Sequence, residues 1–402
     1  MSKEKSVLKK KTLALAGVAL CGVSALGACA TEGVDQGDSK NLNIVASTTQ
    51  ICDYITQILG SEQSEIQLHR TDSQGTSVDL GASDANGAHP AEVDLTCLLA
   101  PNATAHEHEM TPQQMNALSR ADLFFINGVD LEHFLDSAVE SSGFTGKMVA
   151  TSGLRTSEEK TDPHGAQNKS AEFPFIVEDG AEKVALEKWP FPPEGDEKDG
   201  SAFVFDPHVW TSPRNAMIQV RNIGAAMTAA APDSADTIRN QVDQYLRRLQ
   251  ALDSWARESL NSVPEKNRTL FTSHDAFGYF SREYGINFIG AALSDFSGQQ
   301  DATAEHIAQA AQSVKDSGAK ALFAENSNNS KSVESVARAA GVRAIIGEDA
   351  LYGDSLGPAD SDGRTYIGSQ LHNVVNLVTA WGGKPADIPA QLRDDSPEHV
   401  LV

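Results

Sequence analysis

The sequence predicts an α/β protein of two lobes, each a mostly parallel sheet flanked by helices, joined by one long helix. Two observations carry this. Short β-branched and aromatic runs alternate with amphipathic helical segments in the first half of the chain and again after residue 268, the pattern of a sheet covered on both faces. One uninterrupted helical pattern separates the two stretches. The 402 residues suffice for two or three domains.

In order, "LNIVAST" from Leu42 reads as a strand and "QICDYITQILG" from Gln50 as a helix. Residues 68–90 are rich in Ser, Asp and Gly and read as a surface loop. "EVDLTCLLA" is a second strand, and "TPQQMNALSRA" a helix capped by Thr111. "DLFFING" is a third strand, "DLEHFLDSAV" a helix and "KMVAT" a short fourth strand. Residues 156–204 break the pattern with twelve acidic and five basic residues and the runs "FPF" and "WPFPPEGD". They read as an irregular, partly mobile insertion. From Ser212 the chain turns helical. A Pro-Asp-Ser signal then opens a helix from about Ser234 to Ser262, on which Ile238, Val242, Tyr245, Leu249, Leu252 and Leu260 recur at helical spacing. At ~1.5 Å per residue it spans roughly 43 Å, enough to bridge two lobes. Strands "RTLFTS", "INFIGAAL", "AKALFAE" and "VRAII" alternate with helices "DAFGYFSREYG", "ATAEHIAQAAQSVKDSG" and "SKSVESVARAAG", and a helix near "LHNVVNLVTAWG" closes the chain. The expected boundaries are 42–232 for the first lobe, 233–262 for the linker helix and 263–402 for the second lobe.

The N-terminus carries Lys3, Lys5, Lys9, Lys10 and Lys11, then an apolar stretch from Leu13 to Ala28. That stretch has the length of a signal h-region and is short for a membrane span. It ends in "LGAC", Leu26 to Cys29, which resembles a bacterial lipobox. Residues 1–28 then form a lipoprotein signal peptide, and Cys29 is lipidated and holds the chain to the outer face of a membrane. A plain secretory signal with an incidental Cys29 is the alternative. The polar residues up to 41 form a tether. Cys52 and Cys97 remain, and an exported context permits a disulfide between them; two buried thiols are the other reading. The formal net charge of −23 argues against nucleic acid as a partner, because phosphate binding needs Lys and Arg.

Eleven histidines are present, in contrasting contexts. His106 in "ATAHEHEMTP" and His208 in "FDPHVWTSP" sit in loops before helices. His274 ends "RTLFTS", and Asp354 lies in "LYGDSLG" after "VRAII". The three histidines lie where an α/β sheet gathers ligands. Three imidazoles and one carboxylate suit a closed zinc shell, but their wide separation gives no spacing rule, and by the residues alone several unrelated loop histidines are the plainer reading. Ser273, His274 and Asp275 suggest a catalytic triad, but adjacent side chains at a strand end diverge, whereas a triad needs convergence. Asp275 reads as a helix cap, with Phe277, Tyr279 and Phe280 packing that helix.

The set "AHEHEMTP", "NGVDLEHFLD", "DPHVWTSP", "SHDAFGYFSREYG" and "YGDSLG…YIG…LHN" resembles the zinc/manganese-binding lipoproteins of bacterial ABC importers, over about residues 42–382 apart from 68–90 and 156–204. The resemblance implies two α/β lobes on one rigid helix with the metal in the cleft between them. It implies His106 and His208 as ligands from the first lobe and His274 and Asp354 from the second. It implies a monomer that captures Zn²⁺, or alternatively Mn²⁺, and delivers it to a membrane permease without catalysing a reaction. An adhesive role, proposed for some members, is a further alternative. Ala105 and His108 depart from the first motif and make His108 a rival to His106. The insertion holds only His164 and lacks the His-rich loop of many zinc members. Manganese members commonly have a carboxylate at the position of His274, and a three-nitrogen set favours zinc. Glu107 and Glu109 read as a solvated helix entry or partners of a ligand, and Glu325 as a residue that orients one. His133 and His372 read as structural, and His69, His89, His306 and His399 as surface residues.

Overall fold

The computed structural model describes residues 41–61, 64–82, 91–106, 108–132, 135–156, 175–189, 205–292, 303–399 and 401. Cys29 and the signal segment, His89, Glu107, His133, His164 and most of the insertion lie outside the described residues.

The first lobe is built on a seven-stranded sheet. Its strands are β1 (Leu42–Ala46), β2 (Ile66–Thr71), β3 (Ser77–Gly81), β4 (Ala91–Cys97), β5 (Leu123–Ile126), β6 (Lys147–Ala150) and β7 (Ile176–Asp179), in the order β3-β2-β4-β1-β5-β6-β7. Every neighbouring pair is parallel except β2 with β3. Side chains alternate across the central strands, as strand geometry requires. Ile44, Ala46, Phe125 and Val149 enter one core, and Val45, Phe124, Ile126 and Met148 enter another. The first face is covered by α1 (Thr49–Leu59), α4 (Pro213–Ala230) and α5 (Ala235–Asn261). The second is covered by α2 (Pro112–Arg120) and α3 (Leu135–Ser142). Caps fix where the helices start. Thr48 Oγ1 accepts from Ile51 N at 3.2 Å, and Thr111 and Gln114 form a reciprocal capping box.

Two segments differ from their sequence reading. Residues 68–82 join a hairpin instead of a loop. Ile66 and Leu68 are buried, and Asp72 Oδ1 closes the turn by accepting from Gln74 N and Thr76 N, both at 2.9 Å. Their polarity misleads because this is the sheet's edge, where the outer strand β3 is largely exposed. The insertion, too, holds regular structure among its described residues. Residues 176–179 form β7 at the opposite edge, and Lys188 bridges Phe205 antiparallel.

In the second lobe, β8 (Thr269–Thr272) pairs parallel with β9 (Asn287–Ala291), and β10 (Ala321–Phe323) pairs parallel with β11 (Arg343–Ile345). The ends of β8 and β10 are tied through side chains: Glu325 N donates to Ser273 Oγ at 2.7 Å, and His274 N donates to Glu325 Oε1 at 2.8 Å. The helices are α6 (Gly278–Tyr284), α7 (Ala304–Ser317), α8 (Lys331–Ala340) and α9 (Tyr366–Ala380). α6 begins later than expected, with Phe277 as its N-cap, so Asp275 caps nothing.

The long helix α5 is a structural spine. Ile238, Tyr245, Leu249, Leu252, Trp255 and Leu260 are all buried, and one hydrophobic core runs along it from α1 and α4 to α9 and β8. Gly224 lets α4 approach closely, since a Cβ there would lie 2.6 Å from Val242 Cγ2.

A disulfide joins Cys52 on α1 to Cys97 at the end of β4, with Cα atoms 5.6 Å apart and a sequence separation of 45. It restrains the unfolded chain, so the Cys52→Ser/Cys97→Ser variant is expected to lose about 2–4 kcal/mol of stability. Urea unfolding of the two forms measures this; equal midpoints would contradict it.

Candidate metal centre

Three of the four candidate side chains reach the site from a strand end or the chain beyond it, and the fourth precedes a helix. His106 follows β4, His274 ends β8, and Asp354 lies beyond β11 after Leu351, which bridges Glu325 in parallel. His208 precedes a short 3₁₀ turn, Val209–Thr211, that leads into α4. The structure brings the four together: one donor atom from each lies within 4.8 Å of every other. All are buried, at 8% exposure or less. His208 Nε2 lies 3.1 Å from His106 Nε2 and 3.2 Å from His274 Nε2. Asp354 Oδ1 lies 3.2 Å from His208 Nε2 and 3.7 Å from His274 Nε2, and Oδ2 lies 3.9 Å from His106 Nε2. A tetrahedral ion with bonds of about 2.0–2.1 Å places its donors about 3.3 Å apart. The donor set therefore fits a four-coordinate cation. The rival His108 is outside this group; it is half-buried, near Gln114.

Surrounding groups orient these donors. Asp206 Oδ1 is 2.7 Å from His208 Nδ1 and accepts from His208 N at 2.9 Å, which turns Nε2 inward. Asp275 Oδ1 lies 3.4 Å from His274 Nδ1. The Asp354 carboxylate accepts from Thr104 Oγ1 at 2.9 Å, and its backbone carbonyl accepts from Gln50 Nε2 at 3.1 Å. Glu325 holds His274 through the latter's backbone N–H. His372 is buried among Asp362, Asn376 and the Ala350 carbonyl, as a structural histidine. His69 pairs with Asp79 on the hairpin, and His399 is exposed.

Sequence reasoning missed Asp206, Thr104, Gln50 and Trp189. Asp206 was legible in principle, two residues before His208 in "DPH". Trp189 was not: it comes from the insertion, yet its ring centroid lies 5.3 Å from that of His208.

The motif "NGVDLE" serves the site indirectly. Glu132 is buried and accepts from Ser47 Oγ at 2.7 Å, Asn127 N at 2.6 Å and Gly128 N at 3.1 Å. These bonds hold a turn in which Val129 and Asp130 have φ of 56° and 59°, a strained state for a β-branched residue. Asn127 Nδ2 then donates to Pro207 O at 2.9 Å, beside His208. Burial pushes the Glu132 carboxyl up to about 7 against these bonds.

Electrostatics favour a positive charge in the cluster. Burial alone lowers the His208 pKa, but Asp206 and Asp354 outweigh it and raise it to about 10. Burial likewise acts to raise Asp354, but His274, His208 and His106 hold it well below the usual carboxylate range. Without an ion, then, a proton on His208 compensates the buried carboxylates.

A two-lobed α/β fold on one long helix, with three imidazoles and a carboxylate converging between the lobes, defines a metal-binding protein. The chain belongs to the family described as zinc-uptake complex component A periplasmic, which matches residues 44–380. It is similar to the manganese-binding lipoprotein MntA of Bacillus subtilis, 28% identical over 369 residues covering 91% of this chain and 98% of that one. It is also similar to the iron ABC transporter substrate-binding lipoprotein MtsA of Streptococcus pyogenes serotype M1, 24% identical over 90% of this chain and 96% of that one. The periplasmic zinc-binding protein TroA from Treponema pallidum superposes with a TM-score of 0.60 at 22% identity, covering 85% of this chain and 99% of that one, and so shares the fold.

Gly353 sits against Glu325: a Cβ there would overlap Glu325 Oε2. Gly353→Ala is therefore expected to displace Glu325 or the Asp354 loop and to cost about 1–3 kcal/mol. Thermal unfolding checks this, and an unchanged melting temperature would refute it.

Proposed function

We propose that this protein captures Zn²⁺ through His106, His208, His274 and Asp354 and delivers it to the permease of an ABC importer. The observation that carries the reading is the convergence of three imidazole nitrogens and one carboxylate on a buried point, with their donor atoms all within 4.8 Å of one another. Three nitrogens make the set softer than the oxygen-rich shells manganese prefers, which supports zinc. Mn²⁺ is the second reading, favoured by the name of the Bacillus relative. The protein fills all four positions of a tetrahedron, which suits holding an ion rather than activating a water on it. Residues 42–232 and 263–402 act as the two lobes, with 233–262 as the linker helix. Residues 1–28 serve as signal peptide, 29–41 as tether, and lipidated Cys29 holds a monomer to the extracytoplasmic face of the membrane.

Competitive titration of the purified protein with Zn²⁺ and Mn²⁺, beside His274→Ala, tests the proposal. One Zn²⁺ per chain is expected, bound more tightly than Mn²⁺, with His274→Ala weakened by at least about 100-fold, since a ligand loss exceeds the 10–100-fold effect of an outer partner. Absence of tight binding, or a variant that binds equally well, sinks it.

A pH dependence follows with a definite sign. Metal binds neutral imidazole, whereas His208 in the free protein stays protonated up to about 10. Binding at pH 7.5 must therefore release a proton, and affinity should keep rising above 6.5, the ordinary histidine value. Calorimetry in buffers of different ionisation enthalpy should find about one proton released per ion. No release at pH 7.5 would contradict this.

A further inference from the structure

We propose that Trp189 is a specificity-determining residue of the metal site: its indole keeps water off the bound ion, restricts it to four protein ligands and so favours Zn²⁺ over Mn²⁺. This rests on the four-ligand reading above and adds to it a residue from the insertion. Trp189 is buried, and its ring lies against all three imidazoles, with centroids 5.3 Å from His208, 6.5 Å from His106 and 6.5 Å from His274. Its Nε1–H donates to Asp275 Oδ2, while the other oxygen of that carboxylate faces His274 Nδ1. The indole donor is thus committed, and what the ring offers the site is an apolar surface with no acceptor for water.

The ring is held from both lobes. Asp206 N donates to Glu187 O at 3.0 Å, and Lys188 bridges Phe205, which keeps the segment bearing Trp189 beside the His208 segment. From the second lobe, Tyr279 on α6 reaches across: Glu187 N donates to its hydroxyl at 3.2 Å, and that hydroxyl donates to Asp206 O at 2.8 Å. Arg282 pairs with Glu187 outside it. Trp210 flanks His208 at 5.3 Å with its own N–H fixed on Gly353 O at 2.9 Å. Two indoles with committed donors therefore border the central imidazole. Zinc is satisfied by a closed tetrahedron, whereas Mn²⁺ favours six mainly oxygen ligands and must recruit water to reach that number from this set. A wall that denies water penalises manganese selectively.

The test compares wild type, Trp189→Phe and Trp189→Ala by competitive titration with Zn²⁺ and Mn²⁺ and by visible absorption of the Co²⁺-loaded proteins. Wild type should give the intense d–d bands of four-coordinate Co²⁺. Trp189→Ala should give the weak bands of a five- or six-coordinate ion and a zinc-to-manganese affinity ratio reduced about tenfold or more, in the range of outer-shell effects. Trp189→Phe should lie between. Should Trp189→Ala not fold, as judged by circular dichroism, Trp189→Leu carries the same comparison. Variants that keep both the affinity ratio and the Co²⁺ spectrum of wild type overturn the role of Trp189 and leave the four ligands standing. A wild type that binds none of the three ions overturns the metal reading itself, and this proposal with it.

Discussion

The carboxylate of Asp354 is the point on which the centre of this protein depends. It is almost fully buried, and an isolated buried carboxylate is costly unless it is paired. The pairing comes from His208 and His274, with His106 close by, and from the Thr104 hydroxyl. Because Thr104 and Gln50 belong to the first lobe and Asp354 to the second, satisfying this one group also joins the lobes. Thr49 Oγ1 adds to the joint by accepting from Leu356 N at 2.9 Å.

The same electrostatics connect holding with releasing. Two carboxylates, Asp206 and Asp354, face His208 from opposite ring nitrogens. They favour a cation at the cluster whether it is a proton or a metal, so the two compete. The buried face of the spine helix is shared by both lobes through one core.

Apolar and strained elements complete the frame. The left-handed turn at Val129 and Asp130 persists because buried Glu132 captures three donors around it, and that turn supports the Pro207–His208 backbone. Strain sits beside the site and is offset by a hydrogen-bond network rather than by the ligands themselves.

Much of this was legible from the chain alone. The short apolar runs of "LNIVA" and "DLFFI" and the helical spacing of Ile238 to Leu260 follow from backbone geometry and burial, which act locally, so the α/β class, most of the element order and the spine helix could be read directly. Local motifs also marked the histidines at strand ends. Other features needed the tertiary structure. Convergence of His106, His208, His274 and Asp354 is a property of through-space distance and has no signature in spacing. Residues 66–81 form a hairpin because an edge position tolerates a polar strand, and Asp275, ahead of a helix that starts at Gly278, accepts from Trp189 of the remote insertion. Local chemistry determined which segments exist, and long-range burial and pairing decided which side chains meet.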